Sequence, residues 1–220
     1  MRFIIHELPY ERPIMAGRLR YELDGVPTGA IESWRLTDAM DGYRFLRVDM
    51  DAREAPSGNT CLYHVTLNPV GRPEQLKYRF WGGGHEVSGT AVWDGDEVIA
   101  ARRADEGMFE DVVRGTAFWF PSGAGLALLA QCAGETKGIT VLTDPGIPQR
   151  LMSFFETPVT ILWGMAGMEQ VNGELLPVRP LYVSWADQHR TVWLDVTARP
   201  LRLQRDDGLT ATAERLVRYG

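Results

Sequence analysis

Apolar and polar residues alternate with period two along most of this chain. In CLYHVTLN, Cys61, Tyr63, Val65 and Leu67 share one face, and His64, Thr66 and Asn68 share the other. EVSGTAVW sets Val87, Gly89, Ala91 and Trp93 against Glu86, Ser88 and Thr90. RTVWLDV sets Val192, Leu194 and Val196 against Thr191, Trp193 and Asp195. A two-residue period marks strands with one face in a core. Between the runs stand Asp24-Gly25, Asp41-Gly42, Pro69-Val70-Gly71, Asp94-Gly95, Asn172-Gly173 and Asp207-Gly208. Asx-Gly pairs reach the left-handed conformations of tight hairpins. The pattern predicts strands near 17–24, 28–37, 43–51, 61–68, 74–81, 86–93, 96–103, 138–143, 158–164, 169–176, 180–186, 190–196, 199–205 and 209–217. Strands joined by short turns are antiparallel neighbours, so the fold class is mainly β, a long antiparallel meander. Strand twist curls so long a sheet into a β-roll or half-barrel.

One segment breaks the period. In FWFPSGAGLALLAQCAG, residues 118–134, Ser122 is a favoured N-cap, and Leu126, Leu129 and Ala130 follow at helical spacing. The run is apolar nearly all round, which predicts one buried helix over about 122–133, ended by Gly134 and held inside the curl of the sheet. Phe118, Trp119 and Phe120 bring the chain to its entrance. Ser122 also invites comparison with a nucleophile elbow. That turn needs glycine where Pro121 stands, usually within a parallel α/β sheet, so Ser122 reads as a cap.

Length and charge narrow the picture. At 220 residues, without linker or repeat, the chain predicts a single domain over 1–220, its loosest stretch being 143–149. A net charge of −6, pI near 5.3 and scattered basic residues argue against nucleic acid. MRFIIHELPY is no secretory signal, and no apolar window approaches the ~18 residues of a membrane helix; a cytoplasmic location is expected. Cys61 and Cys132 lack metal-ligand spacing and read as reduced thiols. WGGGHEVSG, residues 81–89, lacks the lysine and hydroxyl of a phosphate loop and reads as a hairpin or bulge. His85 and Glu86, being adjacent, point to opposite strand faces, which disfavours a shared metal ion. No metal, cofactor or catalytic residue is expected, and the oligomeric state stays open.

Glu32 lies on the face of Thr28, Ala30, Trp34 and Leu36, toward the core. A buried carboxylate is costly unless paired. It either forms an ion pair with Arg47 or Arg79, or anchors the polar end of a ligand. Trp34, Tyr63, Tyr78, Phe80, Trp93, Trp163 and Trp185 all fall on plausible inward faces. Each ring alone is explained by core packing. Together, around a wide sheet, they describe a pocket for an apolar ligand.

Three stretches, YELDGVPTGAIESWRL, LYHVTLNPVGRPEQLKYRF and TVWLDVTARPLRLQRDDGLTATAERLVRY, set the layout of the chain. That layout resembles the glycolipid-binding family and the half-barrel carriers of lipids and lipoproteins. The resemblance implies a curved sheet holding the apolar part of an amphiphile, although carriers of the cell envelope enter by a signal that this chain lacks. The expected function is non-catalytic binding of a lipid-like or other hydrophobic small molecule, with Glu32 and the seven rings as its site. Two alternatives stand beside it: an enzyme using Glu32, His64 or His85 as acid/base, and a scaffold or partner-binding protein with a filled core.

Overall fold

The computed structural model describes residues 7–55, 58–134, 137–142, 150–171 and 173–219. The stretch 143–149 and Asn172 of the Asn172-Gly173 turn lie outside them. The first eight strands are β1 (Arg12–Leu23), β2 (Val26–Asp38), β3 (Arg44–Asp51), β4 (Thr60–Leu67), β5 (Pro73–Gly82), β6 (His85–Asp94), β7 (Glu97–Ala104) and β8 (Gly107–Arg114). After β9 (Ala117–Trp119) and α1 (Gly123–Ala127) come β10 (Lys137–Leu142), β11 (Ser153–Pro158), β12 (Thr160–Trp163) and β13 (Gly167–Val171). The chain finishes with β14 (Glu174–Trp185), β15 (Gln188–Asp195), β16 (Pro200–Arg205) and β17 (Leu209–Arg218).

Fourteen strands form one antiparallel sheet in the order β12-β14-β15-β16-β17-β1-β2-β3-β4-β5-β6-β7-β8, with β13 also paired to β14. Two meanders, β1–β8 and β14–β17, are thus joined where the last strand pairs with the first. The hairpins owe their tightness to residues that accept positive φ. Asp24 and Gly25 (φ 50° and 78°) close β1 onto β2. Gly83 and Gly84 (φ 59° and 83°) close β5 onto β6, so the glycines of WGGGHEVSG are a hairpin turn.

The predicted alternation holds through β4 and β6, where Cys61, Tyr63, Val65, Leu67, Val87 and Ala91 are buried. It ends early in β15. Val196 is exposed because Asp195 turns the chain, accepting from the Thr197 and Arg199 amides. The segment 169–176 is two strands about a turn rather than one. Three strands escape the pattern altogether, β8, β9 and β11. On β8, Met108 and Val112 are apolar yet exposed, which blurs the alternation.

A second sheet, β11-β10-β9, pairs β9 parallel and β11 antiparallel to β10. Together with α1 it lines two cores. Phe118 and Phe120 enter one with β2–β7, whereas Ala117 and Trp119 enter the other with β14–β17. Period two on a three-residue strand therefore feeds both halves of the interior. The helix is shorter than expected: five α residues, continued as a 3₁₀ turn over Leu128–Cys132. Gly123 and Gly125 are poor helix formers, and a run surrounded by core takes the pitch its packing imposes.

Candidate functional site

Glu32 on β2 has no exposed surface, and neighbouring strands and α1 surround it. One carboxylate oxygen accepts from the Tyr21 hydroxyl at 2.6 Å and the Gly123 amide at 2.8 Å; the other accepts from the Ala124 amide at 2.8 Å. Ser122 caps the same turn, its Oγ accepting from the Gly125 amide at 2.7 Å. The absence of a side chain at Gly123 lets the turn approach, since a Cβ there would lie 2.5 Å from Leu19 Cδ1. Burial raises the Glu32 pKa against the pull of its three donors, and burial, then the Glu32 charge, raises that of Tyr21. The expected ion pair with Arg47 or Arg79 does not form. Both arginines are out of parity with the inward residues of their strands; Arg47 pairs with Glu11 at 2.6 Å and Arg79 with Glu86 at 2.7 Å.

The predicted aromatic lining meets the chain's own side chains. Tyr63 stacks on Phe120 (ring centroids 4.2 Å apart), Trp93 meets Phe118 edge-on at 4.8 Å, and Trp185 tilts against Trp119 at 5.2 Å. Tyr78 lies 5.9 Å from Phe154 and donates to the Met152 carbonyl at 3.1 Å. Phe80 is buried in the same core. Trp34 lies across Gly17, where a Cβ would come within 2.5 Å of the indole. Trp163 is half-buried, with the Arg179 guanidinium 4.8 Å from its ring. Residues 117–129 and 151–154 thus occupy much of the space the rings surround. Sequence reasoning placed Phe118, Trp119 and Phe120 at the helix entrance; nothing local reveals that they fill the interior.

Two spaces remain. A cavity of about 430 Å³ opens where the β4–β5 turn faces the end of the interior segment. Val70, Pro73, Phe118, Leu128 and Cys132 give it apolar walls, and Arg72, Thr116 and Gln131 stand among them. None of the seven predicted rings lines it; Trp93 touches its wall through Phe118. A shallower groove of about 510 Å³ crosses β17, β1, β2, β3 and β4, and two of the predicted rings, Trp34 and Tyr63, stand among its lining residues with Glu7, Pro13 and Tyr219. Three of its arginines already face carboxylates: Arg18 with Glu214, Arg35 with Glu7, and Arg47 with Glu11.

The candidate acid/base groups are not brought together. His64 shares a cross-strand row with Arg47, edge-on to Phe45; burial, then the Arg47 charge, lower its pKa to about 4. His85 sits at the β5–β6 turn, 3.2 Å from Asp105. Glu32 faces the interior, away from both. Among the described residues no group of three His, Cys, Asp or Glu is placed to hold a metal, and no helix is long and apolar enough to cross a membrane.

No protein-family model matches the chain, and no curated protein matches it. Among solved structures it is similar to the beta-barrel-like protein of domain of unknown function DUF1849 from Brucella abortus. The two are 11% identical with a TM-score of 0.58 over 94% of this chain and 98% of that one. The fold is therefore beta-barrel-like. PNGF-II aligns over 95% of this chain and 28% of its own at 7% identity, but its TM-score of 0.33 carries no weight.

Proposed function

We propose that this protein is a non-catalytic, single-domain binder of a hydrophobic or amphiphilic small molecule. In this reading the ligand enters the half-barrel at the end bounded by the β4–β5 turn. The observation that carries the proposal is the cavity of about 430 Å³ beside Phe118, Leu128 and Cys132. Its size falls in the ~300–1,000 Å³ range of small-molecule sites. The rest of the aromatic set, with Glu32, then supports the wall and holds the interior segment in place. A glycolipid is one amphiphile of this shape, which keeps the family resemblance within the proposal.

Cys132 provides the test. It lines the cavity and is partly exposed, whereas Cys61 is buried and its thiol is pushed up to about 12. A neutral alkylating reagent should therefore modify Cys132 selectively. A medium-chain amphiphile, kept below its micellar concentration, should slow that reaction saturably. Unchanged alkylation with every amphiphile would refute the proposal. A second reading, partner binding by a filled fold, is favoured by Val92, Ile99 and Val112, exposed and in register across β6, β7 and β8. It predicts concentration-dependent mass in sedimentation instead.

A further inference from the structure

The cavity's charge is asymmetric. Arg72, next to the β4–β5 turn, is the only ionisable side chain among its described lining residues apart from the Cys132 thiol. The Arg72 backbone is engaged: its amide donates to Asn68 Oδ1 at 2.9 Å, and its carbonyl accepts from the Asn68 amide at 2.8 Å. That pairing fixes where the residue leaves the turn. Its guanidinium makes no hydrogen bond or ion pair among the described residues, unlike Arg18, Arg35 and Arg47 of the outer groove. Beside it, the Gln131 amide lies so close to Gly71 that a Cβ there would fall 2.7 Å from Oε1. Gly71 has φ +85°, a conformation that already suits glycine, so the turn and the amide fit together. The lining thus combines a cation and an amide with the apolar Phe118 and Leu128.

Resting on the reading above, we infer that the ligand is a single-chain amphiphile with an anionic head. Its carboxylate or phosphate meets Arg72, with Gln131 as a neutral hydrogen-bonding neighbour, and its tail lies along Phe118 and Leu128. A guanidinium matches the planar or tripodal oxygens of such heads better than it matches a neutral sugar. An apolar wall without a cation would accept alcohols and acids alike. Arg72 breaks that equality.

The test uses the full chain and the rate of Cys132 alkylation by iodoacetamide, with decanoate, monodecyl phosphate, decanol, decyl glucoside and decyltrimethylammonium as competitors. In each protein, protection is scored against its own unliganded rate, so any effect of Arg72 on the thiol itself cancels. Decanoate or monodecyl phosphate should protect at lower concentration than decanol, and the ratio of the two identifies a carboxylate or a phosphate head. Arg72→Gln should weaken anion protection by about two- to fivefold and leave decanol unchanged, the size expected of an ion pair at a solvent-facing rim. Arg72→Lys should retain most of the preference, and added salt should erode it. Equal protection by anionic and neutral chains, or a preference for decyl glucoside, would overturn the anionic head while leaving the cavity reading intact. Protection by none of the five would remove both.

Discussion

Replacing Glu32 by glutamine probes the junction between sheet and interior segment. The carboxylate receives three donors, the Tyr21 hydroxyl and the Gly123 and Ala124 amides, at 2.6–2.8 Å and without solvent. Glutamine offers one oxygen and one NH2. With its oxygen toward Gly123 and Tyr21, its NH2 confronts the Ala124 N–H; turned over, it confronts the Gly123 N–H. Either way one buried backbone donor loses its acceptor, at about 1–3 kcal/mol. Relief from burying a charge opposes this loss. Burial raises the Glu32 pKa, so the folded chain holds the proton more tightly than the unfolded chain does. That stability is fully present below the unfolded value of 4.5 and is lost as pH rises through the raised folded value. Glutamine does not titrate. Near pH 4 the wild-type side chain is the neutral acid, whose hydroxyl can turn its proton to the Tyr21 oxygen and still leave both amides an acceptor, which an NH2 cannot do. Glu32→Gln should therefore destabilise by about 1–3 kcal/mol there, with the gap to wild type narrowing as pH rises. Urea unfolding followed by tryptophan emission across the pH range measures the gap. A gap that widens with pH would show that the three donors outweigh burial and refute the reasoning. An unchanged stability with altered ligand preference would return Glu32 to the role of anchor.

Ser122→Ala should cost about 1 kcal/mol by urea unfolding, because Oγ caps Gly125. Ser122→Asp, an equally good cap in isolation, should fare worse here, since its charge would stand one residue from the amides that hold the Glu32 carboxylate. Acid should weaken the fold in two stages. His64, lowered from 6.5 to about 4, loses its contribution as pH falls through that window. Glu11, held at about 2 by Arg47 and Thr37 against the cost of burial, loses its own as pH falls from 4.5 toward 2. His64→Gln should flatten the first stage alone in a pH series of urea midpoints, and an unaltered first stage would exclude His64 as its source. Gly17→Ala pushes a methyl group to within 2.5 Å of the Trp34 indole and should cost about 1–3 kcal/mol in thermal unfolding at constant ligand.

The inner faces of β4 and β6, the Asp24-Gly25 hairpin and the Ser122 cap were all legible in the sequence. Each rests on interactions between near neighbours: pleat parity, positive φ and a side chain reaching the amide three residues on. The same parity excludes Arg47 and Arg79 as partners of the inward Glu32, and register supplies what parity leaves open. Tyr21 meets Glu32 because β1 and β2 pair, and the Gly123 and Ala124 amides arrive from about ninety residues away. Hydrophobic periodicity also shows that Phe118, Trp119 and Phe120 want burial, but not against which rings. Only the return of the chain through the concavity sets Phe120 on Tyr63 and Trp119 on Trp185. Arg72 gave no signal at all, being one arginine beside a turn. The role proposed for it depends on which distant residues line the cavity with it. Sequence alone determined which residues seek the interior, because that preference is local and follows from apolar surface avoiding water. Tertiary structure decided which of them meet and where space remains, because pairing the last strand with the first depends on contacts between distant parts of the chain.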